Sequence, residues 1–132
     1  MTTDSPSSLP GGPTVLTGVP LRTRLLGLLR SYPVRVRGRS MIPTLRPGAI
    51  ALALPLTANV AVGPGDLVLA RHPKANAIVM IKRVLSVTDE GVLLAGDNAA
   101  ASTESVDFGP VPRTDLLARI TWRLWPPPPH PL

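Results

Sequence analysis

At 132 residues the chain has room for one domain, and 14 Lys and Arg against 8 Asp and Glu give it a net charge of +6. With no cysteine it has no thiol nucleophile, disulfide or thiolate metal site, and two histidines with eight carboxylates leave little from which to build a metal centre, so neither metal nor cofactor is expected. Tyr32, Phe108, Trp122 and Trp125 are its only aromatic residues besides histidine, too few for a platform on which single-stranded nucleic acid stacks.

Residues 1–19 are rich in Ser, Thr, Pro and Gly and read as a flexible arm. The start MTTDSPSSLPGGPT lacks the positive first stretch and apolar centre of a secretory signal, and no run of about 18 apolar residues, the length a bilayer demands, occurs. A soluble, cytoplasmic protein is the expectation. Residues 20–32 include LRTRLLGLLRSY, in which Leu21, Leu25, Leu28 and Leu29 share one helical face with arginines between them. The spacing predicts a short amphipathic helix packed on the core; the other use of such a helix is peripheral contact with a membrane surface. Between Asp4 and Asp66 there is no carboxylate, while Arg22, Arg24, Arg30, Arg35, Arg37, Arg39 and Arg46 fall there. Such a field attracts an anionic membrane, an acidic peptide or nucleic acid, or simply solubilises the face that carries it.

From Pro33 the pattern changes to short β-type runs. VRVRG alternates, so Val34 and Val36 face one way and Arg35 and Arg37 the other, with Ser40 near the end of the valine face if the strand runs so far. AIALAL, DLVLA, AIVMIKRVLSV and GVLLAG follow as strand candidates, punctuated by VGPG, RHPKAN and TDEG, the last a hairpin signal between two apolar runs. Residues 126–132, PPPPHPL, are a proline-rich tail in which no packed structure is expected.

Ser40, in VRGRSMIPTL, is the residue that raises a chemical question. A serine hydroxyl attacks only when a base takes its proton. His130 lies in the proline tail and His72 between Arg71 and Pro73 in a predicted loop, and Ile42 replaces the second glycine of a GxSxG elbow, so a Ser-His-Asp triad is disfavoured. Lysine is scarce, only Lys74 and Lys82 against twelve arginines, and Lys82 sits inside AIVMIKRVLSV with Ile78, Met80 and Val84 on its own strand face. To serve as a base, such an amine must move from a pKa of about 10.4 to about 7 or 8, a shift of roughly 4 kcal/mol that an apolar site imposes and that arginine cannot make. The blander readings are a turn serine and a lysine that snorkels to water. Arg83 faces oppositely among Val79, Ile81 and Leu85, so parity alone leaves open which of the two cations points inward.

GRSMIPTLRPG (38–48), GDLVLARHP (65–73), IKRV (81–84), GDNAAASTES (96–105) and FGPVP (108–112) together resemble the type I signal peptidase family, serine proteases with a Ser-Lys dyad. The resemblance implies a mostly β fold, a small signal-peptidase-like β-barrel or coiled-sheet catalytic domain over 33–125 with a short N-terminal helix. It implies Ser40 as nucleophile and Lys82 as general base, with Ser102 orienting the lysine amine. The main-chain N–H of Ser40 is implied as oxyanion donor, Met41 as a wall of the pocket for a small substrate side chain, and Gly96, Asp97, Asn98 and Glu104 as supporting motif. Two positions depart from the family: Ala49 stands where an aspartate follows the glycine, and Val106 where an arginine would partner Glu104.

The function implied is a serine endopeptidase that takes a precursor protein or leader peptide as an extended strand and removes a short N-terminal leader. Within the family, the compact form without a membrane span resembles the proteases that mature nickel-type superoxide dismutase. A general signal peptidase acting at the membrane is the alternative, and an inactive basic binding module is the alternative of another class. A self-cleaving SOS-type regulator also uses Ser and Lys on a related β fold, but no DNA-reading helix pair with a cleavage segment is evident.

Overall fold

The computed structural model describes residues 21–57, 61–101 and 108–132, and over these most of the apolar runs are extended. Among the described residues one helix, α1 (Leu21–Arg30), precedes seven strands: β1 (Tyr32–Arg35), β2 (Ile50–Pro55), β3 (Leu67–His72), β4 (Ala75–Thr88), β5 (Gly91–Ala95), β6 (Leu116–Trp125) and β7 (His130–Pro131). They form one antiparallel sheet in the order β1-β2-β6-β3-β4-β5, with β7 added to β6.

The sheet is covered on both faces because β3 is apolar on both. Leu67 and Leu69 point into a core shared with Val36, Met41, Leu45 and Ile120, while Val68 and Ala70 point into a second core with Val84, Val92, Leu94 and Val111. At roughly 1.5–3 kcal/mol per fully buried large aliphatic side chain, these two cores supply the driving force for a chain this short. The TDEG hairpin closes with Thr88 opposite Gly91; the Thr88 hydroxyl donates to the Gly91 carbonyl at 3.0 Å and accepts from the Glu90 N–H at 3.2 Å.

Four features differ from expectation. β6, LLARITWRLW, was not among the strand candidates, yet it is the strand on which β2, β3 and β7 all pair. Its arginines look like interruptions in the sequence, but they alternate with Ala118 and Ile120, which are buried in the first core. The proline tail is not left unpacked: His130 and Pro131 pair with Arg123 and Trp122, and the Leu132 N–H donates to the Thr121 carbonyl at 2.9 Å. In α1 the described leucines Leu26, Leu28 and Leu29 are exposed, and the helix meets the sheet through Gly27, whose Cα lies close over Leu54. Finally, β1 stops at Arg35, so Ser40 stands on a turn rather than at a strand end.

Candidate active site

The Ser40 turn is built by two glycines and a neck. Gly38 has φ +76° and Gly48 φ +90°, a backbone region that other residues enter at a cost of about 1–2 kcal/mol. Between them the chain folds on itself, with Leu45 N–H donating to Met41 carbonyl at 2.8 Å. At the base Val36 N–H donates to Ala49 carbonyl at 2.8 Å and Gly48 N–H to Val36 carbonyl at 2.9 Å. Met41 and Leu45, 1% and 0% exposed, anchor the turn in the first core, which leaves Ser40 half-buried at its top. Gly38→Ala, with open space around the new methyl but the wrong φ, is expected to cost about 1 kcal/mol, read as a lower urea midpoint with unchanged slope.

A second set of contacts fixes this turn to the sheet. The Asn98 N–H donates to the Ser40 carbonyl at 2.9 Å and the Asn98 side-chain amide to the Arg39 carbonyl at 3.0 Å. The neighbouring Asp97 accepts from the Thr44 hydroxyl and, in a two-pronged pair, from Arg83 Nε and Nη2, each at 2.8 Å. Arg83 spends its remaining arm on the Gly65 carbonyl at 2.8 Å. The hydrogen bonds from Arg83 hold the Asp97 carboxyl below the usual carboxylate range; partial burial pushes the other way and the Thr44 hydroxyl lowers it further. Arg83 is raised correspondingly, first by its hydrogen bonds to Asp97, against its own desolvation.

Lys82 is the next residue along β4 and takes the opposite face. It is 4% exposed, opposite Val68 and flanked on its face by half-buried Met80 and buried Val84, so the inward cation is the lysine, while Arg83 serves as the latch. Ile78, counted from the sequence among its apolar neighbours, is instead exposed. Ser40 and Lys82 are thus joined through Asn98, Asp97 and Arg83. Among the described residues the Ser40 hydroxyl makes no hydrogen bond. His72 is remote, four residues or about 13 Å along β3 from Val68, with Nδ1 accepting from the Lys74 N–H and its ring tilted on Phe108 at 5.0 Å.

The remaining expected residues divide. Gly96, Asp97 and Asn98 lie beside the Ser40 turn, and two of them hold it. Met41 supports the turn from beneath, in the core, rather than lining an open surface. Ala49, at a position where the family has an acid, is 3% exposed in the first core, where a carboxylate would be desolvated. Ser102, Glu104 and Val106 lie outside the described residues. Sequence reasoning missed Thr44 and Arg83 as partners of Asp97. The available signal was an arginine obliged by strand parity to face away from Lys82 and needing an acid, with GDN the nearest motif to supply one.

The model of the family Peptidase S24-like matches residues 18–118, a span that takes in both the glycine-bounded Ser40 turn and the strand that buries Lys82. The chain belongs to that family, which makes it a serine-type peptidase at family level. It is 33% identical over 116 residues to the mitochondrial ATP-independent inner membrane protease subunit 1a of Arabidopsis thaliana, covering 70% of this chain and 69% of that protein. It is 28% identical over 114 residues to the human mitochondrial inner membrane protease subunit 1, with the same two coverages, 70% and 69%. The Schizosaccharomyces pombe subunit 1 is 30% identical over 112 residues, 69% of this chain and 71% of that protein.

These relatives overturn the cytoplasmic expectation. They are named for an organellar inner membrane, which points to a membrane or organellar setting rather than the cytoplasm. Among the described residues no helix is long and apolar enough to cross a membrane. The likeness supports signal-peptidase-like activity in general and does not extend to nickel superoxide dismutase maturation.

Proposed function

We propose that the protein is a Ser-Lys endopeptidase that cuts a leader from a precursor presented as an extended strand. The observation that carries this reading is Lys82, a 4% exposed lysine on the strand that holds the Ser40 turn through Arg83 and Asp97. Desolvation disfavours the charged form of an amine, so a lysine in this place is suited to accept a proton. The Ser40 hydroxyl attacks the scissile carbonyl and Lys82 takes its proton. The tetrahedral oxyanion is met by the Ser40 N–H, and the lysine returns the proton to the departing amine; water then releases the acyl group by the same route. The hydrogen bond from hydroxyl to amine that this step needs forms when substrate is bound, since catalytic contacts are commonly long or unaligned without it.

Substrate entry is supported by the sheet itself. β5 pairs with β4 only from Arg83 onward, so among the described residues the β5 side of β4 is open before it, beside Lys82, where Ile78 and Val79 are exposed. An extended peptide adding to that edge brings its carbonyls past the dyad. The relatives are named as inner membrane proteases, which favours a precursor met at a membrane over nickel superoxide dismutase, so both kinds of precursor belong in the test. Purified protein is incubated with a signal-peptide-bearing precursor and, separately, with nickel superoxide dismutase precursor, and new N-termini are read by mass. A single new N-terminus from either, lost in Ser40→Ala, is the expected result. Intact precursors in both incubations, or cleavage that survives Ser40→Ala, contradicts it.

A further inference from the structure

Lys82 is not the only buried cation in its row of the sheet. Val68, in the middle of β3, pairs with Lys82 of β4 on one side and with Arg119 of β6 on the other, with no register shift at that point. Residues directly opposite in adjacent strands project to the same face, so the lysine and the arginine flank Val68 on one surface of the sheet. Arg119 is 6% exposed, its Nε makes no hydrogen bond, and among the described residues it enters no ion pair. Leu54 of β2 continues the row beyond it, beneath Gly27 of α1. Burying a guanidinium with an unmet N–H is unfavourable, and an aliphatic side chain would serve the packing better, so the sheet has no structural need of the charge.

We infer that Arg119 is a positioning residue for the dyad: its fixed positive charge, two strands from Lys82 on the same buried face, holds the lysine amine in its neutral, proton-accepting form. The inference rests on Lys82 being the base. Two strand spacings separate the backbones by about 10 Å, and at an effective dielectric constant of about 20 that repulsion displaces the amine's titration by about one pH unit. A guanidinium suits the task because it stays charged at every working pH.

Among the described residues, the other groups around Lys82 do not supply this positive charge. Its face neighbours Met80, Val84 and Val68 are apolar, as is Leu54 across from Arg119. Arg83 and Asp97 neutralise one another on the opposite face, and the Asp66 carboxylate accepts the Gly63 N–H at 2.9 Å. On the Ser40 turn Arg37 and Arg39 are exposed, where water screens them; Glu104 and Asp107 lie outside the described residues.

The chain's two lysines make a direct test practical. In full-length protein carrying Lys74→Arg and labelled with carbon-13 lysine, one side-chain resonance remains and reports the protonation of Lys82. Its midpoint is expected well below the ordinary lysine value of about 10.4. In Arg119→Gln and Arg119→Met it is expected to rise by about one pH unit, and the acid limb of the leader-cleavage profile to rise with it. Arg119→Met exchanges a buried charge for an apolar chain of similar length and is expected to melt no lower than the parent, so a folded variant is available. A depressed midpoint in the parent that does not move in either folded variant overturns the role of Arg119 and leaves the dyad standing. A parent midpoint near 10.4 overturns both.

Discussion

Lys82→Met is expected to fold, to melt no lower than the native protein, and to cleave leader at least roughly 10³-fold more slowly. Methionine fills the slot between Met80, Val84 and Val68 without the desolvation that a 4% exposed amine carries. Ser40→Ala is expected to lose activity to the same extent. The two changes together are expected to be no worse than either, because nucleophile and base act as one unit and their losses do not add. Cleavage rates by mass spectrometry and melting by circular dichroism, on the same preparations, separate this outcome from a structural one. A lysine present only for packing would give Lys82→Met native activity, and a turn serine would do the same for Ser40→Ala.

Asp97→Ala is expected to damage both stability and activity. It leaves the Arg83 guanidinium, with 30% of its side chain exposed, without the partner for two of its three contacts, and frees the Thr44 hydroxyl. For a partly buried bidentate pair the loss is roughly 2–3 kcal/mol. The top of the Ser40 turn then keeps only the Asn98 contacts from the 96–98 segment, and a nucleophile displaced by about 1 Å costs on the order of 10² in rate. The pH dependence has a definite sign. Asp97 is lowered in the folded protein, mainly by its hydrogen bonds from Arg83, so its stabilisation is fully present above the unfolded carboxylate value of about 3.9 and is lost as pH falls through the lower folded value. Urea midpoints of native protein and Asp97→Asn should therefore differ by a constant amount from pH 5 to 8 and converge below about pH 4. A difference that grows on acidification would contradict the latch.

The β character of the domain was legible wherever a run was apolar on one or both faces. AIALAL, DLVLA and GVLLAG needed only alternation and bounding glycines, and the TDEG hairpin only its turn residues. β6 was not legible because its two arginines satisfy the ordinary signs of an exposed segment; the burial of Arg119 and half-burial of Arg123 depend on strands distant in the chain, which a local pattern does not encode. The same holds for Lys82 and Arg83. Parity fixed that they oppose one another, but only the position of Asp97 decides which turns to the acid and which to the core. The tail failed for a different reason: Pro131 and His130 pair at the end of β6, an edge position where a missing N–H costs little. A membrane setting is not legible in the chain's apolar runs; it is pointed to by relatives named for an inner membrane.

Acylation of Ser40 is the most direct measurement. Native protein and Lys82→Met are treated at neutral pH with a serine-reactive acylating probe, digested, and the adduct is located by mass spectrometry. One adduct on Ser40 in the native protein, absent in folded Lys82→Met, is the result expected if this amine activates this hydroxyl. Equal labelling of both proteins, or an adduct confined to another serine, would contradict it.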